Sequence, residues 1–238
     1  MPKYEIKLVR RAEVAAGTTS FFFEKPDGFV FKPGQNADYT LINPPETDAE
    51  GNTRTFSFAG APFEPEIMVV TRMRDTAFKR VWKAMPLGTT VQMEGPMGSM
   101  TLQNDVARPA AFIAGGIGVT PFVSMIREAA HQHLPHHLFL FYSNRTPAEA
   151  AFLRELTDLQ NENYDYHLIA TMTQANEDTW DGDLGYIDVT KLKKHLGDLH
   201  APIYYLAGSP AFVMDMRTLL NNIGVNDDDI KSEDFAGY

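Results

Sequence analysis

The hydrophobic pattern of this chain changes period once, between residues 104 and 109, and that change limits the fold more than any other feature. Before it, short segments alternate apolar and polar residues, which is the two-residue period of half-buried strands. The strand candidates cover residues 4–14, 20–24, 37–42, 53–58, 67–72 and 90–94. Turn clusters such as Pro26-Asp27-Gly28 and Asn43-Pro44-Pro45 separate them. One helix, residues 76–85, interrupts the series and stops near Pro86-Leu87-Gly88. Short strands with one helix predict a small closed barrel. After the break, strand candidates at 110–114, 137–142, 166–171 and 203–206 alternate with helices expected at 120–131, 147–159 and 212–223. Such alternation predicts a parallel sheet. Two domains are therefore expected, residues 1–104 and 105–238, with no internal repeat.

Charge follows the same boundary. The net charge is −10. Through Arg108 there are 13 basic and 13 acidic residues, and the rest holds 8 and 18, so the whole excess lies in the second part. An acidic surface disfavours nucleic acid and anionic membranes. No apolar run reaches the length of a membrane helix, and the opening segment MPKYEIKLVRRAEV lacks the apolar core of a signal peptide, so a cytoplasmic location is inferred. There are no cysteines, which excludes disulfides, zinc–thiolate sites and Cys-ligated iron–sulfur clusters within this chain.

Several segments carry binding chemistry. Arg54-Thr55-Phe56-Ser57 ends a barrel strand. Its arginine offers a planar fork for phosphate, its aromatic ring a platform for a flat heterocycle, and its hydroxyls donors for ring nitrogens. Strand geometry sets Arg54 and Phe56 on one face and Thr55 and Ser57 on the other. Phe31-Lys32-Pro33-Gly34-Gln35 and Gly95-Pro96-Met97-Gly98-Ser99-Met100 read as barrel turns. Gly115-Gly116-Ile117-Gly118-Val119-Thr120-Pro121 follows the strand AAFIA and opens a helix. Glycines there admit a ligand close to the backbone, and the helix N-terminus favours a pyrophosphate. The spacing is not G-x-G-x-x-G. Ala207-Gly208-Ser209-Pro210 repeats the strand-to-helix arrangement, and two such turns at strand carboxyl ends can line one crevice.

In this order the segments resemble the ferredoxin–NADP reductase superfamily in its compact bacterial form, from about Phe31 to the C-terminus. The resemblance implies a Greek-key flavin-binding barrel followed by a parallel-sheet nicotinamide-binding domain, with the flavin between them. It implies that Arg54 binds the flavin phosphate, that Phe56, usually Tyr in the family, stacks on the flavin ring, and that Ser57 hydrogen-bonds near flavin N5. Thr55 accompanies them. Thr71, Arg72 and Met73 pass along the flavin, and Thr76 and Lys79 begin the helix that faces the pyrophosphate. Gly115, Gly116, Gly118, Thr120 and Pro121 hold the nicotinamide nucleotide, and Ser143, Asn144 and Arg145 meet its adenosine side, ahead of the segment 152–156. Ala207, Gly208, Ser209, Pro210 and Met214 match a late Cys-Gly-Pro signature. Glu233, Phe235 and Tyr238 match a closing Glu-x-Phe-x-Gly-Tyr, whose aromatic rings cover the flavin.

The sequence departs from the pattern at Thr76 and Lys79, where the family has Gly and Ser, and at Ala207, where it has Cys. The implied cofactors are FAD, favoured over FMN, and NADH, favoured over NADPH. Arg145 is the candidate for a 2′-phosphate, but residues 173–178, after the third strand of the parallel sheet, contain no basic residue. The implied activity is hydride transfer from NAD(P)H to the flavin, with Ser57 and Phe235 beside the reacting ring. Electrons then pass to a separate acceptor, either a protein such as ferredoxin or an oxygenase, or a small molecule. A flavin or ferric reductase with a diffusible acceptor is one alternative, and a non-catalytic partner-binding subunit is another. A basic group at Arg72, Arg74, Lys79, Arg80 and Lys83 is a candidate partner surface. The histidines of HQHLPHH, residues 131–137, are read as a helix end rather than a metal site.

Overall fold

The protein is described by a computed structural model that covers residues 1–162 and 165–235. The first strand, β1 (Lys3–Ala15), serves two partners. Its Lys3 to Lys7 part pairs antiparallel with β6 (Thr90–Met97), and from Leu8 onward it pairs with β2 (Thr18–Glu24). Irregularities near Leu8/Arg10 and Glu13/Ala15 bend it between them. With β3 (Asn36–Leu41), β4 (Thr53–Ser57) and β5 (Glu66–Arg72) the sheet order is β4-β3-β6-β1-β2-β5. The two ends curl towards each other, and Ala59 N–H, just past β4, donates to Met68 O on β5 at 2.9 Å. The expected barrel forms. Helix α1 (Ala77–Ala84) plugs it, burying Phe78 and Trp82 against Phe21, Phe23 and Tyr39.

The second sheet, order β10-β9-β8-β7-β11-β12, is parallel throughout. Its strands are β7 (Ala110–Gly115), β8 (Leu138–Asn144), β9 (Tyr166–Met172), β10 (Asp183–Leu184), β11 (Ile203–Gly208) and β12 (Ile230–Asp234). Helices α2 (Thr120–Gln132) and α3 (Leu153–Glu162) cover one face, and α4 (Val189–Leu196) and α5 (Pro210–Asn222) the other. That is why AAFIA is apolar at every position. Ala110, Phe112 and Ala114 pack on the first side, Ala111 and Ile113 on the second.

Strand β5 joins the two sheets. Ile67 and Val69 enter the barrel core, while Met68 and Val70 belong to the cluster under α2. Polar contacts reinforce this junction. Ser124 Oγ donates to Gly60 O at 2.6 Å, and Arg127 pairs with Glu64 at 3.1 Å and Glu155 at 2.6 Å.

Four elements differ from expectation, the first being the short strand β10, which the sequence reading did not include. The helix expected over 147–159 is split into a 3₁₀ turn, Pro147–Glu149, and α3. Between them Phe152 adopts φ 61°, with its ring beneath Arg127, and Ala16 N–H ties the turn to the barrel through Ala148 O at 2.8 Å. Helix α4 has clear cap signals, with Asp188 accepting from Lys191 N and lysines in the last turn, but it buries only Leu192. Strand β12 is polar because it is an edge strand; it pairs with β11 from Ile230 to Asp234 and anchors the closing segment. Among the described residues, no helix is long and apolar enough to cross a membrane.

Candidate functional site

Two clefts meet where the barrel joins the parallel sheet. The first is walled by Arg54, Thr55, Phe56 and Ser57 of β4, Thr71 and Arg72 of β5, and Thr76 and Lys79 at the start of α1. Ile117, Thr120 and Phe235 close it from the other sheet. All four consecutive residues of β4 line it, whereas one strand face admits only alternate ones. The reason is that β4 is an edge strand, which adds its unpaired main-chain groups to the wall.

The side chains of β4 are fixed from behind. Phe56 is held edge-on by Trp82 at 4.7 Å. Thr55 gives its hydroxyl to Asp38, its cross-strand neighbour. Ser57 is buried, and its Oγ has no hydrogen-bond partner among the described residues. A buried unpaired hydroxyl is costly, so this donor suits an acceptor entering the cleft.

One end of the cleft gathers two cations, Arg54 and Lys79, with the Glu50 carboxylate 2.9 Å from Arg54. Burial, with the positive charges of Arg74, Arg54 and Arg72, pushes Lys79 down to about 8, partly opposed by Glu50. Arg54 is immobilised by the carbonyls of Glu50 (3.0 Å), Gly51 (3.2 Å) and Thr53 (2.8 Å) and by the Asp48 carboxylate (3.1 Å). Asp48 also accepts from Ala77 N at 3.2 Å at the start of α1. Burial acts to raise its pKa, yet hydrogen bonds from the Glu50 amide, Arg54 and the Ala77 amide hold it below the ordinary carboxylate value. Sequence reasoning missed Asp48 and Glu50, although an acidic run directly before an Arg-bearing strand was a usable signal.

The second cleft crosses the carboxyl ends of β7, β8, β9 and β11, the usual ligand position in open α/β sheets. Gly115, Gly116, Ser143, Asn144, Arg145 and Ser209 line it, and Arg72 lines both clefts. A 3₁₀ turn, Gly116–Val119, separates β7 from α2, and Gly116 adopts φ 54°. Gly118 has a packing role, since a Cβ there would lie 2.3 Å from Ala207 O. Pro121 is buried at the start of α2, and Thr120 faces the first cleft.

Other expected site residues fall elsewhere. Met73 packs against the barrel core and donates its N–H to Gly17 O. Ala207 is buried in the middle of the sheet, and Gly208 O accepts from Phe235 N at 2.9 Å. Pro210 starts α5 behind the Ser209 cap. Met214 is 63% exposed; Phe212, Asp215 and Met216 take the cleft side of α5, because helical periodicity turns residue 214 away. Phe212 fills the space that Gly115 and Gly208 leave, for a Cβ at either position would lie only 2.8 Å or 2.7 Å from its ring. Tyr238 lies outside the described residues.

Two of the five members of the expected basic group are ion-paired: Arg80 with Glu46 and Asp75, and Arg72 with Glu149. The histidines disperse. His131 stacks on Phe63 at 3.9 Å, His136 Nε2 meets Gln103 O, and His137 pairs with Asp165. No group of three metal-binding side chains occurs among the described residues. Glu233, by contrast, comes close to the barrel: Asn36, opposite Ser57 in the β3–β4 ladder, donates to it at 2.5 Å. Burial holds the Glu233 carboxyl above its ordinary pKa.

Residues 112–218 match the family model for the oxidoreductase NAD-binding domain. The chain is 30% identical over 210 residues to the anthranilate 1,2-dioxygenase electron transfer component of Acinetobacter baylyi, covering 86% of this chain and 58% of that protein. It is 28% identical over 190 residues to terephthalate 1,2-dioxygenase, reductase component 2, of Comamonas sp, covering 79% of this chain and 56% of the relative. The chain thus spans a little over half the length of these curated relatives. Its fold resembles that of a ferredoxin NADP+ reductase from Neisseria gonorrhoeae with bound FAD and NADP, with TM-score 0.80, 19% identity and 98% of each chain covered.

Proposed function

Because the chain belongs to the ferredoxin–NADP reductase superfamily in its two-sheet fold and its oxidoreductase NAD-binding half, we propose that it is an NAD(P)H-dependent flavoprotein reductase that serves a separate electron acceptor. Residues 1–104 are assigned to flavin binding and 105–238 to nucleotide binding. FAD is the favoured flavin, since Arg54 and Lys79 at one end of the first cleft suit a diphosphate. NADH is the favoured donor, since residues 173–178 offer no cation for a 2′-phosphate. The acceptor is an oxygenase component, a ferredoxin or a related carrier, by analogy with the relatives.

The carrying observation is the unpaired, buried Ser57 hydroxyl in a cleft with Arg54 and Lys79 at one end. When bound, the flavin supplies the electron chemistry, taking a hydride equivalent from the nicotinamide and releasing electrons onward. Ser57 donates to the ring edge, and the exposed main chain of β4 supplies further hydrogen bonds. Phe56 and Phe235 offer aromatic surfaces and keep water from the ring. Arg54 and Lys79 hold the phosphates. Gly115 and Gly116 let the nucleotide approach the backbone, and Ser143, Asn144 and Arg145 orient its adenosine end. No side-chain acid or base is required for the transfer itself.

The test is the absorbance spectrum of the purified protein, followed by anaerobic addition of NADH and, separately, NADPH. Flavin bands that bleach with nucleotide support the reading and select the donor. A colourless protein that binds neither FAD nor FMN and oxidises neither nucleotide overturns it in favour of a partner-binding subunit.

A further inference from the structure

We infer that Glu149 is the residue that selects against a 2′-phosphate on the nucleotide, an inference that rests on the nucleotide-binding reading of the second cleft. Glu149 lines that cleft beside Arg145, at the carboxyl end of β8. In a βαβ nucleotide site, the end of the second strand faces the adenosine ribose, where an acidic residue accepts from the 2′-hydroxyl or a basic one pairs with a 2′-phosphate. Both kinds of residue are present here, and they are bound to each other. Arg145 reaches Glu149 Oε2 through Nε at 2.8 Å and Nη2 at 2.7 Å. Arg72, from the barrel, reaches the same oxygen at 3.4 Å.

One carboxylate therefore engages two of the three arginines that line the cleft, Arg145 and Arg72, the third being Arg74. A 2′-phosphate beside Arg145, carrying close to two negative charges, would meet two arginines already paired and a carboxylate that repels it. A 2′-hydroxyl meets an acceptor instead, because among the described residues these contacts of Glu149 all go to Oε2 and leave Oε1 for the ribose. The carboxylate is also held in place. Its 3₁₀ turn is pinned to the barrel by the Ala16–Ala148 hydrogen bond at 2.8 Å and closed by Glu149 N–H on Thr146 O at 3.1 Å. The Glu149 side chain is 20% exposed and that of Arg145 57%, so the arginine is free to turn towards a phosphate once the carboxylate is neutralised.

The experiment compares wild type, Glu149→Gln, Glu149→Asp and the double variant Glu149→Gln/Arg145→Ala. Two readouts are used. One is kcat/KM for NADH and NADPH with ferricyanide as acceptor, on FAD-loaded protein. The other is calorimetric affinity for AMP and for adenosine 2′,5′-bisphosphate, which does not depend on flavin. Glu149→Gln is expected to raise the NADPH/NADH ratio and the bisphosphate/AMP ratio by about tenfold or more, the equivalent of roughly 1.4 kcal/mol. Glu149→Asp keeps the wild-type ratio, and removing Arg145 in the double variant reverses the gain. The inference is overturned if either ratio moves less than about twofold in Glu149→Gln, if wild type already prefers the 2′-phosphorylated ligand, or if neither mononucleotide binds. If the mononucleotides discriminate as expected but flavin-loaded protein oxidises neither dinucleotide, the reductase reading fails and the role of Glu149 stands.

Discussion

At Ser57 the protein leaves a buried hydroxyl without a partner among the described residues, at a local cost of roughly 1–3 kcal/mol that a bound acceptor would remove. Ser57→Ala is therefore expected to leave the flavin-free protein as stable as wild type or more so, and to slow flavin reduction about tenfold. Thermal melts of the flavin-free protein and stopped-flow bleaching check the two halves separately; equal rates with and without the hydroxyl would remove Ser57 from the site. Lys79 has the opposite character, a cation set among other cations. Its unliganded pKa is about 8, lowered by burial and neighbouring arginines, and a bound diphosphate raises it. Binding then takes up a proton above pH 8, so FAD affinity should be maximal below that value and fall by up to about tenfold per pH unit above it. Fluorescence titrations from pH 7 to 10 measure this, and Lys79→Met should flatten the profile. That Arg54, Thr55, Phe56 and Ser57 share a cleft was legible because the four residues are contiguous. Asp48 was not, because its role depends on α1 presenting Ala77 N–H to it.

Among the elements, the glycine turn after β7 combines two functions. Gly115 and Gly116 open onto the second cleft, while Gly118 lets the turn rest on β11. A methyl group at Gly118 would meet main-chain atoms of Ala207 and Gly208 at 2.3–2.6 Å, and backbone does not yield as a side chain does. Gly118→Ala should therefore cost about 1–3 kcal/mol or more, read as a lower urea midpoint. An unchanged midpoint would mean that the turn relaxes at no cost. The turn's position was readable from an apolar run followed by glycines. The separate duties of its glycines were not, because the backbone that Gly118 touches lies about 90 residues further on. Helix α4 was missed for a related reason: its cap residues were visible, but it buries a single leucine.

For the molecule as a whole, the apolar cluster that includes Met68 and Val70 with Phe122 and Ile126 makes the barrel and the parallel sheet one packed body. Arg127 stands over this junction, 15% exposed, between Glu64 and Glu155. Arg127→Ala leaves two partly exposed carboxylates without their cation and should destabilise by about 1–3 kcal/mol, with Arg127→Met costing less. The two tryptophans, Trp82 in the barrel and Trp180 beside β10, report on the halves separately. Their urea transitions should coincide in wild type and separate in Arg127→Ala. Transitions that are already separate in wild type would mean that the junction is weaker than its packing implies.

Sequence by itself determined the two folding rhythms, the order of nearly all strands and helices, and the glycine turn that lines the second cleft. These follow from local periodicity and backbone sterics, which act over a few residues. Tertiary structure alone decided which distant residues share a cleft. It brought Phe235 and Thr120 to Ser57, Glu149 to Arg72, and Phe212 rather than Met214 to the cleft side of α5. Those distances are set by how one sheet packs on the other and by the phase of each helix on its sheet. Both depend on the whole core, which no local pattern encodes.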